Sequence, residues 1–403
     1  MSKTVVLVGA LDTKGAEFAH VKRLIENRGL ETLVIDFGVM GPPVFEPDIS
    51  RDEVMAAAGG DPVRLATGRH KDEAMRSMGA GLAVVVRRLY GEGRLGGILG
   101  MGGSSGTSIA TAAMRALPVG VPKLMVSTIV GGDVSAFAGT RDITFMPSIV
   151  DIAGLNRISR RIFANAAGAI AGMVLADAPA EADPRPLVVA SMFGNTTPAV
   201  DRAREALEAA GYEAVIFHAV GSGGRAMEAL IADGFVTAAL DITTTELADE
   251  VCGGVMSAGP ERGLAASRAG IPAVLVPGCV DMANFGAPET IPEKYARRTF
   301  YRWNPDTTLM RTTADENRRI GEMLAAAANA ATGPAAILLP LRGLSMLDAE
   351  GREFWDPAAD RACFDAIRAT VRADEPVIEV DAHINDPAFA DRAVEELLRM
   401  LRR

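Results

Sequence analysis

The sequence is poor in the residues that usually announce a chemistry. It holds 3 cysteines and 4 histidines in 403 residues, and aromatics make up only 5%. Cys252, Cys279 and Cys363 are odd in number and far apart, which excludes a disulfide framework or a Cys-rich zinc knuckle and suits a reducing compartment. Long apolar runs are missing too: the greasiest stretch, Ala166 to Leu175, is about half of what a membrane span requires. The N-terminal run Val5 to Ala10 meets Asp12 at once and reads as a buried strand, not a signal peptide. Nor is there an excess of positive charge. Lys+Arg 41 against Asp+Glu 51 leaves a net −10, the wrong balance for gripping nucleic acid by charge. A small anion held by backbone amides stays open, because amides need no net positive charge. The chain therefore reads as soluble and cytoplasmic, with neither membrane nor nucleic acid as a partner.

What is present is small and apolar. Hydrophobic residues make up 49%, with 42 glycines and 18 methionines, so a globular, loop-rich chain builds its core from Ala, Val, Leu, Ile and Met. At roughly 150 residues per domain, the length fits two units. Val5 to Val8 is a short β-branched run of the kind buried on both faces of a parallel sheet. Phe18, Val21, Leu24 and Ile25 follow at helical spacing, Gly29 supplies a stop, and Leu33 to Ile35 is the next strand: a βαβ unit. The same order recurs from Leu187. Val188 to Ala190 is a strand, Gly194 to Pro198 a loop, Val200, Ala203, Leu207 and Ala210 a helical stripe, Gly211 the stop, and Val215 to Phe217 a strand. A second echo sets Gly97 to Gly100 and Leu124 to Val126 beside Ala238 to Asp241 and Val274 to Val276. The expected fold is α/β, two Rossmann-like domains with mainly parallel sheets and helices on both faces. Residues 1–180 would form a nucleotide-binding domain and 187–403 a domain with a candidate substrate site. The Pro- and acid-rich stretch Asp177 to Pro186 is the expected linker.

In the first half, Met101 to Ser108 hands a strand to a helix expected over Ile109 to Leu117. Gly102, Gly103 and Gly106 allow close backbone approach, free amides and the helix start make an anion seat, and Ser104, Ser105 and Thr107 add hydroxyls. The spacing matches neither a Walker loop nor the dinucleotide fingerprint, which disfavours a dinucleotide oxidoreductase. The alternative is a tight turn with a helix cap. Asp12, Thr13 and Lys14 follow the first strand, and Asp133 lies in a later strand-end loop; such loops line one crevice in an open parallel sheet. Thr13 can cap a helix, Lys14 can neutralise a phosphate, and simple capping is the competing role for Asp12 and Asp133.

The second half gathers other chemistry at its strand ends: His218, Thr243 to Glu246, Cys279 to Gly286, and His383 to Asp386. His218, Glu246, Asp281 and His383 are the candidate acid/base or Mg-holding groups. Asn284, Arg311, Thr312 and Asn385 are the candidate substrate contacts. The competing readings are structural. Glu246 and Asp249 in a first helical turn favour the helix dipole, Asp386 before Pro387 suits an N-cap, and Arg311 suits an exposed residue before a capped helix expected over Glu316 to Ala328. Gly253 to Pro260 is either a second anion loop or a glycine loop at a contact. Arg297 to Trp303 mixes bases with aromatics as single-strand binders do, but beside the net −10 it reads as a packed loop or subunit contact.

Gly9 to Gly15, the Gly102 to Thr107 loop, Ser257 to Pro260, Pro277 to Gly286 and His383 to Pro387 together resemble the uncharacterised-protein family related to the N-terminal ATP-binding domain of the tomato mosaic virus resistance protein. The resemblance spans nearly the whole chain. It implies two Rossmann-like subdomains, ATP near Asp12, Thr13 and Gly102 to Thr107, and a homodimer. Longer relatives carry a further barrel domain beyond the equivalent of Arg403, so a separate barrel-domain protein is an expected partner. Relatives are expected to have a smaller residue at Cys279, which argues against a cysteine nucleophile. The expected function is an ATP-binding protein, with Mg as a companion ion, acting as an enzyme on a small acidic or sugar-derived metabolite in a strand-end or interdomain cleft. The alternative is a non-catalytic ATP-responsive module that docks a protein partner.

Overall fold

The computed structural model describes residues 3–59, 71–176 and 184–402. The chain divides into two units, Met1–Glu181 and Ala182–Arg403; most of the expected linker, residues 177–183, lies outside the described residues. The first unit runs β1 (Thr4–Gly9), α1 (Leu11–Glu26), β2 (Glu31–Asp36), α2 (Arg51–Ala57), α3 (Lys71–Gly91), β3 (Gly97–Gly102), α4 (Ser104–Arg115), β4 (Lys123–Ser127), α5 (Ser135–Ala138), β5 (Thr144–Pro147) and α6 (Arg157–Leu175). Its strands are parallel in the order β2-β1-β3-β4-β5.

Side chains alternate across a strand, and here both sets are apolar, so each face takes its own helices. Val6, Val8, Ile98 and Met125 pack with Leu82 of α3 and Ala113 of α4. Val5, Leu7, Leu99 and Val126 pack with Phe18 of α1 and Phe163 of α6. Burial on both sides is what turns β1 and β3 into unbroken apolar runs.

The second unit runs β6 (Leu187–Met192), α7 (Thr197–Ala209), β7 (Glu213–His218), α8 (Ser222–Ala232), β8 (Ala238–Thr243), α9 (Thr245–Cys252), α10 (Leu264–Ala269), β9 (Ala273–Gly278), β10 (Met282–Phe285), β11 (Phe300–Asn304), β12 (Thr307–Arg311), α11 (Ala314–Asn329), β13 (Ala335–Pro340), α12 (Pro357–Thr370), β14 (Val377–Val380) and α13 (Pro387–Leu401). Its parallel sheet has the order β14-β13-β9-β8-β6-β7. The segment β7-β6-β8-β9 repeats β2-β1-β3-β4, so the echo between the halves is an echo of topology.

Three local expectations change. The glycine loop shrinks to Gly103: β3 runs through Gly102, and α4 begins at Ser104 rather than Ile109. Gly194 to Pro198 is a 3-10 turn leading into α7. Arg297 to Trp303 contains an outer strand, because β10, β12 and β11 form a separate antiparallel sheet. Its other outer strand is Met282–Phe285, a stretch that reads in sequence only as a strand-end loop.

Candidate functional site

In the first unit, the loops after β1, β2 and β3 enclose a cavity of about 300 Å³ at the carboxyl edge of the sheet. One wall is Gly102, Gly103 and the first turn of α4. The residue that starts this helix, Gly103, gives no side-chain cap, unlike Ser50 before α2 and Asn156 before α6, which both do. The opening amides of a helix have no partner within it; those of Ser104, Ser105 and Gly106 therefore face outward as donors at its positive end. Ser104 and Ser105 are exposed. Gly102 makes this geometry possible: a Cβ there would stand 3.0 Å from Gly106 Cα. Thr107 is buried, and its hydroxyl pairs with Gly103 O at 2.8 Å and Ser127 Oγ at 2.7 Å. It holds the loop and offers no free hydroxyl to a ligand.

The opposite wall comes from α1 and the segment after β2. Asp12 Oδ2 accepts from the amides of Met40 and Gly41 at 2.7 and 3.1 Å, so this carboxylate ties down the neighbouring loop instead of capping α1. Its Oδ1 is buried with no partner among the described residues. Asp36 does the analogous work beneath it, accepting from Leu11 and Gly38 at 2.9 and 2.8 Å; burial pushes its carboxyl above the usual range. Lys14 lines the cavity and donates to Ile152 O at 2.5 Å, leaving two of its three ammonium protons free. Thr13 is exposed and turns its hydroxyl back toward Ala10 O, 3.5 Å away. Val39 and Met40 add an apolar lip, Met40 being 81% exposed. Asp133 is not part of this wall: it accepts from Ser135 N at 2.8 Å, and that amide lowers its pKa.

A second crevice of about 460 Å³ adjoins, lined by Thr128, Gly131, Ser148, Ile149 and Asp151; Asp151 lines both spaces. Ile149 stands at φ +62 and is 74% exposed. A β-branched residue in this region is strained. Neighbouring bonds enforce it, from Ser148 N to Ser127 O at 3.1 Å and from Val150 N to Ser148 O at 2.7 Å. Sequence reading missed Asp151 and Ile149 because β5, which delivers them, is four residues of middling burial. No local pattern marks a backbone held at positive φ.

The second unit does not assemble the expected acid/base set. Glu246 is fully buried, its Oε2 2.6 Å from Arg262 Nε and its Oε1 accepting from the amides of Gly221 and Gly224 at 2.6 and 3.1 Å. Arg262, equally enclosed, also pairs with Asp241 and Glu228. Glu246 is thus a structural anion. Asp249 accepts from Met256 N, Asn284 N and Asn284 Nδ2, and burial lifts its carboxyl to about 7; Asn284 is consumed in pinning the Gly253 to Met256 loop. Asp281 is buried against Ser345 Oγ at 2.8 Å. Burial and then the charge of Asp348 raise it to about 7.

Arg311 ends β12 three residues before α11 and is buried, not exposed. It donates to Phe354 O at 2.7 Å and Asp360 Oδ1 at 2.7 Å, and stands 3.7 Å from Asp348. Thr312 bonds Val280 O at 2.8 Å, and Thr313 supplies the capping box of α11. His383 accepts from Asn385 N through Nδ1 at 3.1 Å, which leaves Nε2 to donate to Ser345 O at 2.9 Å. Asn385 reaches Asn195 O at 2.9 Å. His218 is exposed and packs its ring on Phe193, with centroids 5.5 Å apart. Cys279 is buried at φ +58, and burial drives its thiol far above the ordinary range; it is no nucleophile. Among the described residues, no group of three or more His, Cys, Asp or Glu is placed to hold a metal ion, and no helix is long and apolar enough to cross a membrane.

Residues 3–179 match the N-terminal domain of the uncharacterised protein family UPF0261, and residues 185–401 match its C-terminal domain. The chain belongs to this family. A UPF0261 protein of Clostridium tetani is 46% identical over 402 residues, covering 100% of both chains. The ToMV susceptible protein tm-1(GCR26) of Solanum lycopersicum is 39% identical over 337 residues, 82% of this chain, and the match spans 45% of the tomato protein. Among solved structures, a putative UDP-N-acetylglucosamine 2-epimerase from Listeria monocytogenes aligns over 100% of this chain and 98% of its own at 10% identity, with a TM-score of 0.26.

Proposed function

We propose that this UPF0261 protein binds ATP in the strand-end cavity of its first unit. The observation that carries the reading is the uncapped start of α4. Its free amides, two exposed serines and the Lys14 ammonium converge on one cavity that also has an apolar lip at Val39 and Met40. Phosphate oxygens suit the amides, and a base suits the lip. Mg2+ would enter with the phosphates, since it keeps most of its waters and takes one or two carboxylates; Asp151, at the junction of the two crevices, is the carboxylate to hand. The adjoining crevice then offers the place for a small acidic or sugar-derived acceptor. A homodimer is the proposed assembly, checked by sedimentation equilibrium.

A thermal-shift titration with ATP, with and without Mg2+, tests the binding. A ligand at about 100 Kd stabilises by about 2.7 kcal/mol, and no shift with any nucleotide removes the proposal. The burial of Glu246 and Asp281 favours a second reading, in which ATP is held and not turned over and the occupied crevice presents a docking surface. ATP binding with no phosphate release across a panel of small acids and sugars supports that reading. Turnover abolished by Asp151→Asn, with ATP binding retained, supports the enzyme.

A further inference from the structure

The loop after β4 sets a donor beside the nucleotide cavity that none of the foregoing roles uses. Thr128 directly follows β4 and is exposed. Its amide donates to Gly102 O at 3.2 Å, which carries the pairing of β3 with β4 one step past the sheet. The preceding residue, Ser127, is locked to α4: its hydroxyl lies 2.7 Å from that of Thr107, and it accepts from Ile129 N at 3.2 Å. Three bonds thus fix this stretch against the start of α4. The Thr128 hydroxyl itself bonds to no described residue. It lies close to the helix start, since a Cβ built on Gly103 would stand 3.6 Å from its Oγ1. A hydroxyl held in place, open to solvent and beside the outward amides of a helix start is a preorganised donor for an anion.

The strand order says which part of a nucleotide reaches it. Along the carboxyl edge the loops follow the order β2-β1-β3-β4-β5. The apolar lip at Val39 and Met40 comes after β2, the phosphate seat after β3, Thr128 after β4, and Ile149 and Asp151 after β5. Neighbouring strands stand about 4.8 Å apart, which puts the lip about 10 Å from the seat on one side and Thr128 about 5 Å from it on the other. A base at the lip therefore sends its phosphates away from β2, across the α4 amides and on toward β4. The inner phosphates meet the amides. The last one arrives at Thr128, on the threshold of the adjoining crevice.

We propose that Thr128 binds the terminal phosphate of the nucleotide and makes this site select a triphosphate over a diphosphate. The inference rests on the nucleotide reading above. A hydroxyl donating to a phosphate oxygen is a charge-assisted bond, and a diphosphate seated on the same amides ends short of it. The α4 amides serve any phosphate that reaches them, whereas Thr128 is reached by the last alone.

Isothermal titration of the full chain with ATP, ADP and AMP, each with Mg2+, tests this. The parent should bind ATP about 10-fold or more tighter than ADP, the step of one charge-assisted hydrogen bond. Thr128→Val should remove that preference by weakening ATP and leaving ADP unchanged. Thr128→Ser, which keeps the hydroxyl, should restore it. Because the position is exposed, both variants should melt at the parental midpoint without nucleotide. Equal affinity of the parent for ATP and ADP, an equal loss for both in Thr128→Val, or no recovery in Thr128→Ser would overturn the inference and leave the nucleotide site standing. No binding of any of the three removes the inference together with the reading beneath it.

Discussion

Arg262 sits fully enclosed among Asp241, Glu246 and Glu228. Removing one partner of a buried ionic set strands the others, so Arg262→Met should destabilise the chain by about 3–5 kcal/mol, read as a lower urea midpoint. A midpoint within error of the parent would contradict the network. Arg311 faces the same imbalance, one cation near Asp281, Asp348 and Asp360. Burial and then the Asp348 charge lift Asp360 to about 8. These carboxyls hold protons in the folded chain that an unfolded carboxyl, with a pKa near 4, has already lost. The folded state therefore binds more protons across that window, and stability falls as pH rises from about 5 through 8. Asp360→Asn should flatten that fall in denaturation midpoints measured at pH 5, 7 and 9; parallel curves for parent and variant would refute it. At Ile149, positive φ stores strain of about 1–3 kcal/mol. Replacing it with glycine should raise the midpoint by an amount near the lower end of that range, because glycine loses more chain entropy on folding.

At the scale of the element, the decisive feature is the junction of β3 and α4. Gly106 has room for a side chain, its nearest contact being Met101 O at 3.7 Å from a built Cβ. Gly106→Asp should keep or improve the helix, because a carboxylate suits the first turn, while placing a negative charge in the anion seat. The expected outcome is an unchanged melting midpoint without nucleotide and loss of the ATP-induced shift. An ATP shift of parental size would move the phosphates elsewhere. This junction was legible in the sequence because everything it needs is local: a strand end, glycines for close approach and a helix start within a few residues. Glu246 and Arg311 were legible only as residue types. Their roles depend on Arg262, Asp348 and Asp360, brought in from other elements, and no spacing along the chain marks those pairings.

At the scale of the whole molecule, the cores found among the described residues each draw on the residues of one unit. Those of the first lie within residues 5–174 and those of the second within 187–401. Fragments cut between Glu181 and Ala182 should each melt cooperatively in a calorimeter; a fragment without a transition would show that its core needs the other. The sequence by itself determined the α/β class, the repeated strand order and the glycine turn, because buried parallel strands and helix stripes are periodic patterns written along the chain. The tertiary structure alone decided which polar residues are free to act. It enclosed Glu246, Asp281 and Arg311, brought Asp151 and Ile149 to the crevice, and set Thr128 beside the start of α4. The reason is physical: burial and pairing are properties of contacts between distant segments, and a carboxylate or guanidinium carries the same charge in the sequence whether it meets solvent or a partner.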